Sequence, residues 1–263
     1  MKGLLIYDRQ RGLKNKWFIE KITAELSKLG IFLQTVYDGE FTIGADIDFA
    51  VMRTENYMLS KELEQNGIRV FNNSEVTRIC NNKALTYQYV SRFEIPVMPT
   101  FYGNDLSQIS DFPKVIKPCG GHGGKNVFLV NSRTELEEAA RQIKPDSFVI
   151  QDFADPGRDL RVYIIGNKIV TAMERTSKSD FRSNYSLGGK AKRRPLTPKE
   201  ESTVRAVLEI FNFDFAGIDL IYRKGEPVLN EIEDIVGSRM VYAGTELDII
   251  ADYALHIAKT LNF

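Results

Sequence analysis

From Gly3 to Phe71, four short apolar runs (Gly3 to Tyr7, Phe32 to Tyr37, Asp48 to Met52 and Arg69 to Phe71) alternate with stretches of helical character. Between the first two, Phe18, Ile22, Leu26 and Leu29 recur at helical spacing before Gly30, a usual C-terminal stop. Strands that return through helices lie parallel, so this alternation predicts a small α/β lobe with a parallel sheet. The chain has 263 residues, 43% of them hydrophobic, enough for one large domain or two to three small lobes.

Beyond the fourth run the pattern turns polar from Asn72 to Asn82, then predicts a helix from Lys83 to Phe93. That helix ends before Ile95-Pro96 and Met98-Pro99, because residues preceding proline avoid the helical region. A lobe boundary near residue 75 follows. The second lobe is read as a strand at Lys114 to Lys117, a loop at Gly120 to Gly124, a strand at Asn126 to Val130, a helix opened by Ser132 with Glu135 in the capping-box position, and a strand at Phe148 to Asp152. The third opens with strands Leu160 to Ile165 and Lys168 to Glu174, joined at the hairpin dipeptide Gly166-Asn167. A long polar, basic stretch runs from Arg175 to Arg194, and Thr197-Pro198-Lys199-Glu200 is a strong helix start. Strands Phe215 to Tyr222 and Pro227 to Glu233 and a helix from Glu246 to Leu261 complete the chain. The expected division is therefore 1–75, 76–153 and 154–263.

Composition removes several classes of function. The 35 basic side chains balance 35 acidic ones, which argues against nucleic acid as the main partner. No run reaches the length of a membrane span, and the apolar start Met-Lys-Gly-Leu-Leu-Ile is too short for a secretory signal, so a cytoplasmic protein is expected. Cys80 and Cys119 cannot build a disulfide framework, and with only His122 and His256 there is no Cys/His zinc set. Any metal must sit on carboxylates. There is no Gly-x-Ser-x-Gly elbow, neither cysteine has a partner that would make it a thiolate, and His256 reads as a packed or exposed helix residue.

Three constellations carry chemistry. In the first, Gly120-Gly121-His122-Gly123-Gly124 lies between two strands and follows Lys117. Glycines let backbone N–H groups approach phosphate oxygens, although a plain hairpin loop has the same composition. Cys119 and Asn126 stand where a Walker A loop needs Gly and Ser or Thr, and the dinucleotide fingerprint lacks its third glycine. In the second, Glu231 and Glu233 share one strand face, and a three-residue loop centred on Gly225 sets Asp219 opposite Glu231. Three converging carboxylates suit Mg²⁺, and a solvated acidic sheet edge is the alternative. The third is the set Arg158, Arg161, Arg175, Lys178, Arg182, Lys190, Lys192, Arg193 and Arg194, with Phe181 and Tyr185 interleaved. It suits an anionic substrate, a solvated face or an RNA surface.

Taken in order, these pieces resemble the ATP-grasp superfamily, most closely the RimK-like carboxylate–amine ligases of the α-L-glutamate type. The resemblance runs over nearly the whole chain, through Asn73-Ser74, Lys83-Ala-Leu-Thr, Val115-Ile-Lys117-Pro118, Val149-Ile-Gln-Asp-Phe153, Gly157-Arg-Asp159-Leu-Arg161, Phe181-Arg182-Ser183-Asn184 with Gly188-Gly189, Ala216-Gly-Ile-Asp219 and Glu231-Ile-Glu233. It implies an α/β fold with a small pre-ATP-grasp lobe and two ATP-grasp lobes clasping the nucleotide. It also implies an ATP- and Mg²⁺-dependent ligase that joins a carboxylate to an amine through an acyl phosphate, releasing ADP and phosphate. The acceptor class is an amino acid with a peptide, protein end or small metabolite, and relatives often self-associate.

The same resemblance assigns roles. Lys83 and Lys117 hold ATP phosphates under a loop of Gly120, Gly121, Gly123 and Gly124. Gln151, Asp152 and Phe153 meet the adenine edge and Asp159 the ribose, while Arg182, Ser183 and Asn184 reach the phosphate end. Arg161 and Arg175 orient the carboxylate or acyl phosphate, and with Arg182 and Asn184 form the expected catalytic set. Asp219, Glu231 and Glu233 hold two Mg²⁺ ions, which Mn²⁺ can replace. Glu233 departs from the usual asparagine, and Ile235-Val236-Gly237-Ser238-Arg239 replaces a usual Pro-Gly, which makes Arg239 a candidate substrate contact. A regulatory ATP-binding module without ligase activity is the alternative that Glu233 favours. His122 either touches phosphate or is merely tolerated.

Overall fold

The computed structural model describes every residue except 45, 104, 122, 125, 144–146, 178–189 and 263. Its described strands form three sheets. Strands β1 (Lys2–Tyr7), β2 (Phe32–Tyr37), β3 (Phe49–Arg53) and β4 (Arg69–Phe71) make the first, wholly parallel in the order β2-β1-β3-β4. Helices α1 (Arg9–Lys14) and α2 (Lys16–Lys28) carry the chain from β1 to β2 and α3 (Tyr57–Gln65) from β3 to β4, the crossover form of parallel pairing, while no helix stands between β2 and β3 among the described residues. The polar stretch after β4 holds a helix that its periodicity does not announce, α4 (Ser74–Cys80), capped by the Asn73 side chain and buried through Val76, Ile79 and Cys80. Next comes α5 (Lys83–Ser91), capped by Asn82.

The second sheet is antiparallel, with β5 (Thr100–Phe101), β6 (Lys114–Pro118), β7 (Phe128–Val130) and β8 (Phe148–Asp152) in the order β5-β8-β6-β7 and α6 (Arg133–Ile143) packed on it. β7 starts later than expected, since Asn126 takes a positive φ of 56° and prolongs the glycine loop. At the start of α6, Ser132 accepts from the Glu135 N–H, while the Glu135 carboxylate takes the Asn131 N–H.

The third sheet comprises β9 (Arg158–Ile165), β10 (Lys168–Thr176), β11 (Lys190–Arg193), β12 (Phe215–Arg223) and β13 (Glu226–Glu233), antiparallel in the order β11-β10-β9-β12-β13. The end of the basic stretch is therefore an edge strand paired to β10, not loop. Helix α7 (Pro198–Ile210) starts with a full capping box at Thr197 and Glu200. The expected last helix is shorter than its apolar pattern: α8 (Arg239–Gly244) precedes it, and α9 (Ile249–Thr260) begins only where Asp248 accepts from Ala251 N–H.

The period of two along strands separates the two faces of the third sheet. One face, with Leu160, Val162, Ile164, Ile218, Leu220 and Ile232, packs on α4 and α7 through Val76, Ile79, Val204 and Val207. The other carries Tyr163, Met173 and Phe215, which share one core with Leu5, Tyr7 and Phe49 of the first sheet and with Ile250, Tyr253 and Ile257 of α9. Each such large side chain removed from water contributes roughly 1.5–3 kcal/mol, so this shared core locks the first sheet against the third.

Candidate active site

At the end of that second face away from the shared core, the side chains become charged. Asp159 and Arg161 precede Tyr163 at the same parity on β9, and Arg161 lies opposite Asp219 of β12, which lies opposite Glu231 of β13. Arg175 of β10 pairs with Asp159. The sheet thus lays out a ladder of alternating charge. Arg161 donates to both Asp219 oxygens at 2.7 Å and to Glu233 at 2.5 Å. Arg175 donates to both Asp159 oxygens, at 2.6 and 2.9 Å, and to Asp219 at 2.7 Å. Burial alone would raise the Asp219 carboxyl, but the two guanidiniums outweigh it and hold its pKa at about 2. Burial likewise opposes charge on Arg161 and Arg175, and the facing carboxylates prevail, raising both.

The convergence of the three acids depends on a β-bulge. The β12–β13 hairpin closes with two residues, Lys224 and Gly225, both at positive φ, and pairs Arg223 with Glu226. That is one residue tighter than the expected loop, and on its own it would place Asp219 opposite Asn230. The register shifts between Asp219 and Leu220, so Asn230 is left as the extra residue and Asp219 pairs with Glu231. Asp219, Glu231 and Glu233 each bring a carboxylate oxygen within 4.8 Å of the others. Such a hard oxygen set fits Mg²⁺.

Across from the acids stand the two lysines. Lys83, at the first turn of α5, lies 3.0 Å from Glu231 and donates to the Gly121 carbonyl of the glycine loop at 2.8 Å. Lys117 on β6 donates to Asn230 Oδ1 at 3.1 Å and sits 5.3 Å from the centre of the Tyr87 ring, whose hydroxyl donates to the Asn230 carbonyl. The bulge residue is therefore fixed from both β6 and α5. Burial, with Lys83 nearby, pushes the Lys117 ammonium down to about 7 against the pull of Glu231.

The remaining predicted residues divide. Gln151 is buried on β8 and donates to Thr100 Oγ1 at 2.8 Å. The Asp152 carboxylate is engaged by Lys114 at 2.7 Å, and Phe153 follows it at the strand end, half-buried. Gly121, Gly123 and Gly124 all adopt positive φ, which Gly120 does not. Arg182, Ser183, Asn184 and His122 lie outside the described residues. Of the basic set, Arg194 pairs with Glu174 and Glu200, and Arg158 stacks on Tyr222, so these two serve the fold of the third sheet.

A RimK-like ATP-grasp domain matches residues 90–257, from before the second sheet into α9. The chain belongs to the RimK-like ATP-grasp family. It is similar to human N-acetylaspartylglutamate synthase A, 32% identical over 82% of this chain and 58% of that protein. It is also similar to the alpha-aminoadipate–LysW ligase LysX of Saccharolobus solfataricus, 30% identical over 80% of this chain and 85% of the relative. Against the human synthase the chain thus spans little more than half of the relative's length. The fold is shared with an ATP-grasp RimK domain protein of Sphaerobacter thermophilus, with a TM-score of 0.75, 16% identity and full coverage of both chains. Among the described residues no helix is long and apolar enough to cross a membrane.

Within this family member, a cavity of about 230 Å³ opens beside the ladder. Gly123, Arg161, Arg175 and Glu233 line it from the side of the glycine loop and the charged ladder, and Arg53 of β3, Ser238 and Arg239 also line it. Arg53 escaped sequence reasoning, since a basic residue ending an apolar strand reads as an ordinary strand terminus. Its burial, at 5% exposed, is set by the shared core and is invisible in a local pattern.

Proposed function

We propose that the protein is an ATP-dependent ligase that joins a carboxylate to an amine through an acyl phosphate, releasing ADP and phosphate. The observation that carries this reading is the meeting of Lys83 and Lys117 with the Asp219–Glu231–Glu233 triad, the lysines on the glycine-loop side and the acids on the sheet. In phosphoryl transfer the protein's work is positioning and charge neutralisation, for which these groups suffice and no nucleophilic side chain is required.

Members of the family use ATP and Mg²⁺. Two ions, which Mn²⁺ can replace, would sit on Asp219, Glu231 and Glu233, where Arg161 and Lys83 now lie. They would supply charge to the phosphate oxygens. Glu233 in place of asparagine keeps an oxygen donor within reach of both other acids, which favours a working enzyme over a regulatory module. Lys83, Lys117 and the glycine loop hold phosphates, Gly120 included. Gln151, Asp152 and Phe153 border the adenine, Asp159 the ribose, and Arg182, Ser183 and Asn184 the phosphate end. Arg175, held by Asp159, and Arg161, displaced from the acids as the ions bind, face the acyl group, and loop closure excludes water that would hydrolyse it.

The division 1–75, 76–153 and 154–263 serves this reading as a substrate lobe and two nucleotide-clasping lobes. The substrates are an amino acid and a carboxylate-bearing metabolite, peptide or protein end, handled in the cytoplasm. Incubation with Mg-ATP, pooled amino acids and small carboxylates tests it. Formation of ADP and phosphate that requires both pools and is lost in Lys117→Ala supports the ligase. AMP as product overturns the acyl-phosphate route.

A further inference from the structure

A buried cation costs several kcal/mol unless an anion faces it, and most cations at this site meet that condition. Arg161 is matched by Asp219 and Glu233, Arg175 by Asp159 and Asp219, and Lys83 by Glu231. Arg53 does not. Its guanidinium is stacked on the Phe18 ring at 4.4 Å, and donates to the Tyr7 hydroxyl at 3.3 Å and to the Val236 carbonyl at 3.0 Å. Both acceptors are neutral, and they use two of the five N–H donors of a guanidinium. Among the described residues no carboxylate pairs with it.

Two neighbours in the same cavity offer further donors. Ser238 is 2% exposed, and its hydroxyl finds no hydrogen-bond partner among the described residues. Arg239, exposed, donates to the Lys14 carbonyl at 2.7 Å and likewise has no acid among the described residues. Arg53, Ser238 and Arg239 thus line a cavity whose protein carboxylates are committed to Arg161, Arg175 and Lys83. A guanidinium fork with a hydroxyl beside it is donor geometry for a carboxylate.

We propose that Arg53, Ser238 and Arg239 form an anion subsite that holds a substrate carboxylate other than the one that is phosphorylated. The reacting carboxyl group lies toward Arg161, and the second is anchored by the first sheet through Arg53. This rests on the ligase reading for which carboxyl reacts; the subsite itself needs only the cavity and its uncompensated charge. Arg53 also makes substrate binding depend on how the first and third sheets are seated, since it ends β3 and donates to Val236 beyond β13.

The test is calorimetric titration of the full chain with succinate, glutarate and adipate, each against its half-amide, in the presence of Mg-ADP. The diacid that spans the cavity should bind wild type at least about tenfold more tightly than its half-amide, the size expected for one charge-assisted pair. Arg53→Gln should erase that ratio, Arg53→Lys should restore part of it, and Ser238→Ala should weaken diacid binding several-fold. Mg-ADP affinity should be unchanged in all three, which separates a missing subsite from an unfolded protein. The proposal is overturned if no diacid outbinds its half-amide on wild type, or if folded Arg53→Gln keeps the preference. Failure of Mg-ADP to bind wild type would instead sink the ligase reading, and the diacid ratios would still decide the subsite.

Discussion

If Lys117 meets the nucleotide phosphates, as proposed, nucleotide binding should be a proton-coupled event. Burial and the neighbouring Lys83 hold its pKa at about 7, against 10.5 for a free lysine, so at pH 8 about nine in ten empty sites carry a neutral amine. A polyphosphate arriving at that amine favours its charged form. If the pKa returns to about 10, each nucleotide bound at pH 8 takes up about 0.9 proton, falling to about 0.1 at pH 6. Titration with a non-hydrolysable ATP analogue in buffers of differing ionisation enthalpy reads this number, and Lys117→Met supplies the baseline for the ligand's own titration. A wild-type minus variant difference that stays flat from pH 6 to 9 would refute the assignment of Lys117 to the phosphates. The sign for stability follows. Between pH 10.5 and about 7 the unfolded lysine is protonated and the folded one is not, so the empty protein loses stability as pH falls through that window and levels off below it. Lys117→Met should therefore stabilise the empty protein most at and below neutral pH.

Asp219 gives the same direction in an acid window, there because its charged form is the stabilised one. Its carboxyl is held at about 2 by Arg161 and Arg175, so its contribution is present above its ordinary value of 3.8 and is lost as pH falls toward 2. Asp219→Asn should lower stability by about 2 kcal/mol or more at pH 7, the gap closing below pH 4 in acid unfolding followed by near-ultraviolet circular dichroism; a gap independent of pH contradicts the pairing. Gly217 lies on β12 where an added Cβ would come 2.7 Å from Val236 Cγ2, so Gly217→Ala should cost about 1–3 kcal/mol in urea unfolding by displacing the segment that carries Ser238 and Arg239. An unchanged urea midpoint would show that this segment yields freely.

Much of this molecule is legible in its sequence because its signals are local. The Thr197 capping box, the Gly166-Asn167 hairpin and the parallel first sheet follow from dihedral preference and periodicity over a few residues. The acidic triad is legible too, but for a reason that needed correction. A three-residue loop at Gly225 and a two-residue loop with a bulge at Asn230 give the same pairing of Asp219 with Glu231, and nothing local distinguishes them. What selects the bulge is tertiary: Lys117 and Tyr87, from another sheet and helix, hold Asn230. Arg53 was illegible for the same reason, since its burial arises where two distant sheets share a core. Helix α4 was hidden by its brevity, its buried residues being too few to establish a period.

As a ligase of the proposed kind, this chain activates a carboxylate by phosphorylation. The most direct measurement uses pooled carboxylates labelled with ¹⁸O in the carboxyl group, with Mg-ATP and pooled amino acids, and analyses the released phosphate by mass spectrometry. An acyl phosphate passes one carboxyl oxygen to the phosphate, so phosphate carrying one ¹⁸O, formed alongside ADP, is the predicted result. Unlabelled phosphate accompanying amide formation, or AMP in place of ADP, would contradict it.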